Sequence, residues 1–82
     1  MKFSVYAIRS LKDGRIYVGF TQNFEKRIRE HNSGKTKSTK GYIPWEKLYI
    51  EGAETRELAR KREKYLKSGI GKEYLKKLIL AP

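Results

Sequence analysis

The 82 residues carry 20 lysines and arginines against 9 acids, a formal charge of +11, and 38% of them are hydrophobic. A chain this short holds one small two-layer core, so residues 1–82 are expected to form a single domain. With no cysteine there is no disulfide framework, thiolate metal site or thiol nucleophile, and no apolar run approaches the roughly 20 residues of a membrane span.

Met1 to Tyr6 lead straight into strand-like alternation without the apolar core of a signal peptide, so a soluble, cytoplasmic protein is expected. Residues 3–10 and 16–21 alternate as two strands around Lys12-Asp13-Gly14-Arg15, whose Asp-Gly pair predicts a two-residue hairpin turn. One face then collects Val5, Ala7, Ile16, Val18 and Phe20, and the other Tyr6, Ile8, Ser10, Tyr17, Gly19 and Thr21. A register shifted by two residues keeps both sets; in the unshifted one Gly19 faces Ile8. A glycine inside a strand signals that something approaches its backbone closely.

A helix is expected from Asn23, a good N-cap, to Gly34, a good terminator, with Phe24, Arg27, Ile28 and His31 as its inward stripe. Residues 33–41 read as a basic, hydroxyl-rich loop, followed by Pro44, Trp45 and a third strand over about 46–51. Thr55 can cap a second helix ending near Gly69, with Leu58, Ala59, Tyr65 and Leu66 inward and Glu63 at the edge of that stripe. A last helix from about Lys72 carries Tyr74, Leu75, Leu78 and Ile79. The expected fold is α+β, a three-stranded antiparallel sheet flanked by helices in the order β-β-α-β-α-α.

Two nucleotide motifs fail on inspection. Gly34-Lys35-Thr36 lacks the P-loop glycine five residues earlier, where Arg29 stands, and Gly69-Ile70-Gly71 reads as a helix-ending pair with no strand before it. The placement of five polar groups is more informative. Tyr6, Tyr17, Arg27, His31 and Glu63 all sit where periodicity points side chains inward, and burying an ionisable group costs several kcal/mol unless it is paired. Singly, each has a structural explanation: half-buried strand tyrosines, a packed arginine stem, a satisfied core histidine, an ion-paired glutamate. Together they supply the parts of phosphodiester hydrolysis. A carboxylate can hold a cation, a guanidinium can stabilise charge on phosphoryl oxygens, and phenol or imidazole groups can handle the attacking water. Glu25 and Glu57 suit first helical turns, Glu30 and Glu73 look solvated, and a site built from several clustered carboxylates is hard to assemble.

Val5-Tyr6-Ala7 followed by Tyr17-Val18-Gly19, then Arg27, His31 and Glu63, resembles the GIY-YIG nuclease superfamily over nearly the whole chain. Glu30 to Gly34, Lys37-Ser38-Thr39-Lys40, Pro44-Trp45-Glu46 and Lys61 to Gly69 look like its small stand-alone bacterial members. The resemblance implies an endonuclease cutting DNA with one divalent cation, Mg²⁺ or Mn²⁺, held by Glu63. It further implies Arg27 as phosphate and transition-state stabiliser, Tyr17 as general base, Tyr6 as a positioning partner and His31 in the base network. The first triplet departs from the family pattern at Val5 and Ala7, Phe20 replaces a lysine common in the repair branch, and residues 72–82 lack a late asparagine some members carry.

Low sequence specificity is expected, supplemented by the chain's own basic loops or by a protein partner. Lys35, Lys37 and Lys40, with Tyr42 and Trp45 for stacking, are the expected contacts to DNA, or to RNA. The alternative is a basic nucleic-acid-binding module that keeps the fold and does no chemistry alone.

Overall fold

Alternation and capping account for most of the architecture in a computed structural model, which describes residues 2–80; Met1 and residues 81–82, the ends of the expected 1–82 span, lie outside it. The elements are β1 (Phe3–Ser10), β2 (Ile16–Thr21), α1 (Phe24–Asn32), a 3-10 turn (Lys40–Tyr42), β3 (Trp45–Ala53), α2 (Arg56–Lys67) and α3 (Gly69–Leu80). The sheet is antiparallel in the order β2-β1-β3, so β1 is central. Among the described residues no helix is long and apolar enough to cross a membrane.

The hairpin takes the shifted register. Val5 pairs with Phe20, Tyr6 with Gly19 and Ile8 with Tyr17. The expected two-residue turn is replaced by a four-residue loop, closed by the Ser10 N–H on the Arg15 carbonyl at 2.9 Å. The cause is the buried Ser10 hydroxyl, which accepts from the Lys12 and Asp13 N–H groups at 3.1 and 3.3 Å and satisfies a wider loop. The same hydroxyl donates to the Tyr42 carbonyl at 2.6 Å, pinning the hairpin to the 3-10 turn.

Each sheet face has its own core. Val5, Ala7 and Val18 pack with Ala53 under α2 and α3, which contribute Ala59, Leu66 and Leu75. Tyr6, Ile8 and Trp45 pack with Phe24 of α1, bordered by Tyr17, Ile28, Tyr42 and Ile43. β3 is longer than expected, and its register shifts between Ala7, opposite Tyr49, and Ile8, opposite Lys47, leaving Leu48 as the extra residue of a bulge.

Both expected caps form: the Asn23 side chain accepts from the Lys26 N–H at 3.1 Å, and Thr55 Oγ1 from the Leu58 N–H at 3.2 Å. Gly34 ends α1 with φ at +83°. The inward stripe of α2 differs from expectation, because Leu58 and Tyr65 are 48% and 42% exposed. The stripe is instead Ala59, Arg62, Glu63 and Leu66, helical spacing with two charged members. Arg62 earns its place through a two-point bridge to Glu51 of β3, at 2.6 and 2.9 Å. That bridge lowers the Glu51 pKa, while the Tyr49 phenol, donating to the same carboxylate at 2.7 Å, is pushed up to about 12.

Gly69 and Gly71 open α3 rather than closing α2. A Cβ on buried Gly71 would fall onto the Tyr65 carbonyl and 2.5 Å from Leu66 Cα, backbone atoms that cannot rotate away, whereas one on Gly69 meets nothing within 4 Å. Gly71→Ala is therefore expected to destabilise the fold by about 2 kcal/mol or more through overpacking. Gly69→Ala should be neutral or stabilising by up to about 1 kcal/mol through helix propensity. Chemical denaturation of the two variants beside the wild type checks this contrast.

Candidate functional site

The polar residues cluster where α1 crosses the Tyr6 face of the sheet. Tyr6, on the central strand, is 1% exposed, and its Oη lies 2.9 Å from Nε2 of His31, itself fully buried. The rings of Tyr6 and Tyr17 approach His31 edge-on, with centroids 5.9 and 5.1 Å away. Gly19 makes room for this meeting. A Cβ there would sit 2.8 Å from Tyr6 Oη and 3.4 Å from Tyr17 Cε1, so the close approach expected at that glycine is made by the two tyrosines.

Arg27 lies one helical turn before His31, beside the Tyr6 phenol, and its Nη1 donates to Glu30 Oε1 at 3.2 Å. Burial works to lower the Arg27 pKa, but its interactions with Tyr6 and Glu30 outweigh this and hold it raised. Burial raises the Tyr6 phenol above its ordinary value, opposed by Arg27 and reinforced by Tyr17 and Glu63. Burial also lowers His31, to about 4, with the Arg27 charge acting in the same direction. At neutral pH the site therefore holds a phenol, a neutral imidazole and a guanidinium.

Glu63 approaches from α2, which packs on the other face of the sheet. Its charge reaches Tyr6 as the smallest of the influences on that phenol, and no hydrogen bond joins them. Its side chain is only 23% exposed, and its partner, Lys67 Nζ, stands 3.6 Å away, beyond a good hydrogen bond. Both carboxylate oxygens thus keep lone pairs for a further ligand. No group of three or more His, Cys, Asp or Glu capable of holding a metal occurs among the described residues.

The expected nucleic-acid contacts divide. Lys35, Lys37 and Lys40 are exposed. Trp45 is corrected: it is 4% exposed, packs its ring 6.3 Å from Tyr17 and donates its indole N–H to the Thr39 carbonyl at 2.9 Å, leaving no face for a base. Tyr42 is half-buried, with the Arg15 guanidinium 3.5 Å over its ring. Two residues outside the expected set belong to the cluster. Glu30, expected to be solvated, is half-buried and holds Arg27. Thr39 is fully buried, with Oγ1 2.8 Å from His31 Nδ1. A buried neutral histidine needs partners on both nitrogens, and the hydroxyl-rich stretch just after α1 was the nearest supply; that requirement was the available signal.

A groove of about 230 Å³ beside Glu30 is lined by Lys26, Arg29, Ser33 and Lys35. None of its three cations is ion-paired among the described residues. A second cleft, of about 280 Å³, lies between the hairpin end and α3 and includes Arg15, Lys72 and Lys76 but none of the clustered residues.

The family model described as the GIY-YIG catalytic domain matches residues 2–76. A UPF0213 protein of Bacillus licheniformis is 38% identical over 63 residues, covering 76% of this chain and 65% of that protein. The structure-specific endonuclease subunit slx1 of Xenopus laevis is 51% identical over 41 residues, 45% of this chain and 14% of that one. The solution structure of a UPF0213 protein from Bacillus halodurans superposes with a TM-score of 0.56 at 34% identity, covering 95% of this chain and 85% of that one. The chain thus matches a little under two thirds of the length of the Bacillus licheniformis relative, and a small part of the endonuclease subunit.

The buried imidazole makes stability depend on pH. Its folded pKa of about 4 lies below the unfolded value of 6.5, so the unfolded chain binds the extra proton between these limits. The stability present above pH 6.5 should fall by about 3 kcal/mol as pH drops toward 4. Denaturation across this range checks it, because the corresponding part of the slope should vanish in His31→Asn.

Proposed function

This chain belongs to the GIY-YIG catalytic-domain family, and from that membership we propose that it is a metal-dependent endonuclease hydrolysing DNA phosphodiester bonds with little sequence preference of its own. The observation that carries the reading is the joining of Tyr6, His31, Arg27 and Tyr17 into one packed, hydrogen-bonded cluster. Burying so many polar groups in so small a core costs stability even where they are paired, a cost characteristic of functional sites.

In this reading a scissile phosphate lies against Arg27, whose raised pKa keeps it charged throughout and able to stabilise the oxygens that gain charge as water adds to phosphorus. Tyr17 takes the proton of the attacking water on its phenol oxygen while releasing its own to solvent, and the leaving oxygen gains a proton from solvent as its P–O bond breaks. Tyr6 orients the site and is itself held by His31. The Tyr6 oxygen, rather than the Tyr17 oxygen, holds His31 Nε2, so Tyr17 has no hydrogen bond of its own to the imidazole.

Glu63 fits a single divalent cation, Mg²⁺ or Mn²⁺. Its oxygens are not consumed by Lys67, and such ions take one or two carboxylates and complete their shell with water and substrate phosphate. When bound, the ion would supply Lewis-acid stabilisation to phosphoryl and leaving oxygens. Lys35, Lys37 and Lys40, with the adjoining groove of Lys26 and Arg29, are proposed to grip the flanking phosphates.

The test is incubation of rigorously purified protein with supercoiled, branched and single-stranded DNA, and with RNA, in Mg²⁺ or Mn²⁺. Cleavage of DNA is expected, with Arg27→Ala and Glu63→Ala each slower by about 100-fold or more. Unchanged cleavage by Glu63→Ala would sink the assignment, and binding without turnover would make the chain a nucleic-acid-binding module instead. Separately, Lys35, Lys37 and Lys40 changed together to Gln should flatten the slope of log K against log salt by about 2 to 3 on duplex DNA. Filter binding at several salt concentrations measures that slope, and an unaltered slope would place the phosphate track elsewhere.

A further inference from the structure

The hydrogen bonds around His31 can be assigned a direction from donor inventory alone. Tyr6 is a protonated phenol with one proton to place, its pKa raised by burial. Arg27, beside its oxygen, has only N–H donors and accepts nothing. The proton therefore goes to His31 Nε2, 2.9 Å away, which must be the unprotonated nitrogen of a neutral ring. His31 then carries its proton on Nδ1 and donates it to Thr39 Oγ1 at 2.8 Å. The Thr39 hydroxyl proton turns to the Thr36 carbonyl at 3.4 Å, which can only accept. The four groups form one line with every proton pointing the same way, from Tyr6 through His31 and Thr39 to the backbone of Thr36.

We infer that Thr39 is a positioning residue that sets the His31 tautomer, keeping Nε2 free to hold the Tyr6 proton. This deepens the nuclease reading and rests on it only for its consequence in cleavage. Thr39 is suited to the task because it is itself immobilised. It is fully buried, its carbonyl receives the Trp45 indole N–H at 2.9 Å, and its N–H donates to the Thr36 carbonyl at 3.1 Å. Trp45 is in turn held by Asn32 of α1, whose Oδ1 accepts the Trp45 N–H at 2.6 Å and whose Nδ2 donates to the Trp45 carbonyl at 3.0 Å. The basic loop, carrying Lys37 and Lys40 on either side of Ser38 and Thr39, is thereby tied directly to the imidazole. Without the Thr39 hydroxyl, Nδ1–H would be a buried donor with no acceptor, and the opposite tautomer would become competitive.

Imidazole ¹⁵N spectra of the metal-free, DNA-free protein at pH 7 read the tautomer directly. The wild type should show His31 protonated on Nδ1. Thr39→Val, nearly isosteric but without the hydroxyl, should shift the population toward the Nε2-protonated ring, and Thr39→Ser should restore Nδ1–H. In cleavage assays Thr39→Val should lower kcat by about 10-fold or more with little change in KM, and Thr39→Ser should recover most of the loss. A wild-type ring protonated on Nε2, or a Thr39→Val ring still protonated on Nδ1, would overturn the inference. The wild-type spectrum needs no variant to fold. Failure of the wild type to cleave any substrate would count against the nuclease reading, while the spectra alone would still decide the role of Thr39.

Discussion

A buried phenol on the central strand must place its proton, and one whole face of the molecule is organised around that requirement. Tyr6 cannot reach water, and the acceptor its phenol meets is delivered by α1. His31 does this, but an imidazole that accepts on one nitrogen must donate from the other, which brings in Thr39 and fixes the path of the loop after α1. Trp45 closes the arrangement by bonding the Thr39 carbonyl while its ring fills the core beside Tyr17. A fully satisfied buried network of this kind specifies one arrangement, because any half-formed version leaves an unpaired donor in a low-dielectric interior.

The two faces of the sheet use polar groups differently. On the α2 and α3 side, Glu51 is met by Arg62 in two-point geometry and by the Tyr49 phenol, so charge is neutralised where it is buried. On the α1 side, Arg27 is only partly committed. Glu30 holds one of its nitrogens at 3.2 Å, and the neighbouring imidazole is neutral. A bridge with all its bonds made holds helix to sheet. A guanidinium with donors to spare, beside a phenol and a neutral imidazole, is suited to receiving an anion.

The limits of β1 and β2, the face assignment of the hairpin and both helix caps were legible because each follows from local periodicity or a single capping side chain: Tyr6 and Tyr17 sharing a face, Asn23, Thr55. The misreadings share a cause, which is that tertiary partners decided them. The Asp13-Gly14 pair promised a tight turn, but the Ser10 hydroxyl, drawn inward by the Tyr42 carbonyl, satisfied a wider loop. Leu58 and Tyr65 looked like better inward residues than Arg62 until Glu51 lay opposite. Trp45 looked available for stacking because nothing local shows that its indole N–H reaches back six residues to Thr39. Of the candidate site, the residue types and faces could be read along the chain. The link from Arg27 to Glu30 is an i,i+3 pair within α1 that helical spacing allows, whereas the link from His31 to Thr39 needed the loop path, which periodicity does not encode.

The excess charge follows the same division. Asp13, Glu30, Glu46 and Glu51 all pair with arginines, and the Glu63–Lys67 contact is the one acid–lysine pair among the described residues, and the longest of the five. Most acids that are engaged are thus spent on guanidinium groups, which recognise carboxylates with directional, forked geometry. The other lysines have no ion-pair partner among the described residues, and in solution they answer to mobile counterions. A surface of that kind gains affinity for a polyanion through the counterions both partners release, with little regard to sequence. In the proposed reading, directional recognition falls to the few arginines, above all Arg27 beside Tyr6, and long-range attraction to the lysines around them. On that proposal, a small chain draws in a phosphate backbone over a broad area through its lysines and organises the chemistry where Arg27 and Tyr6 meet.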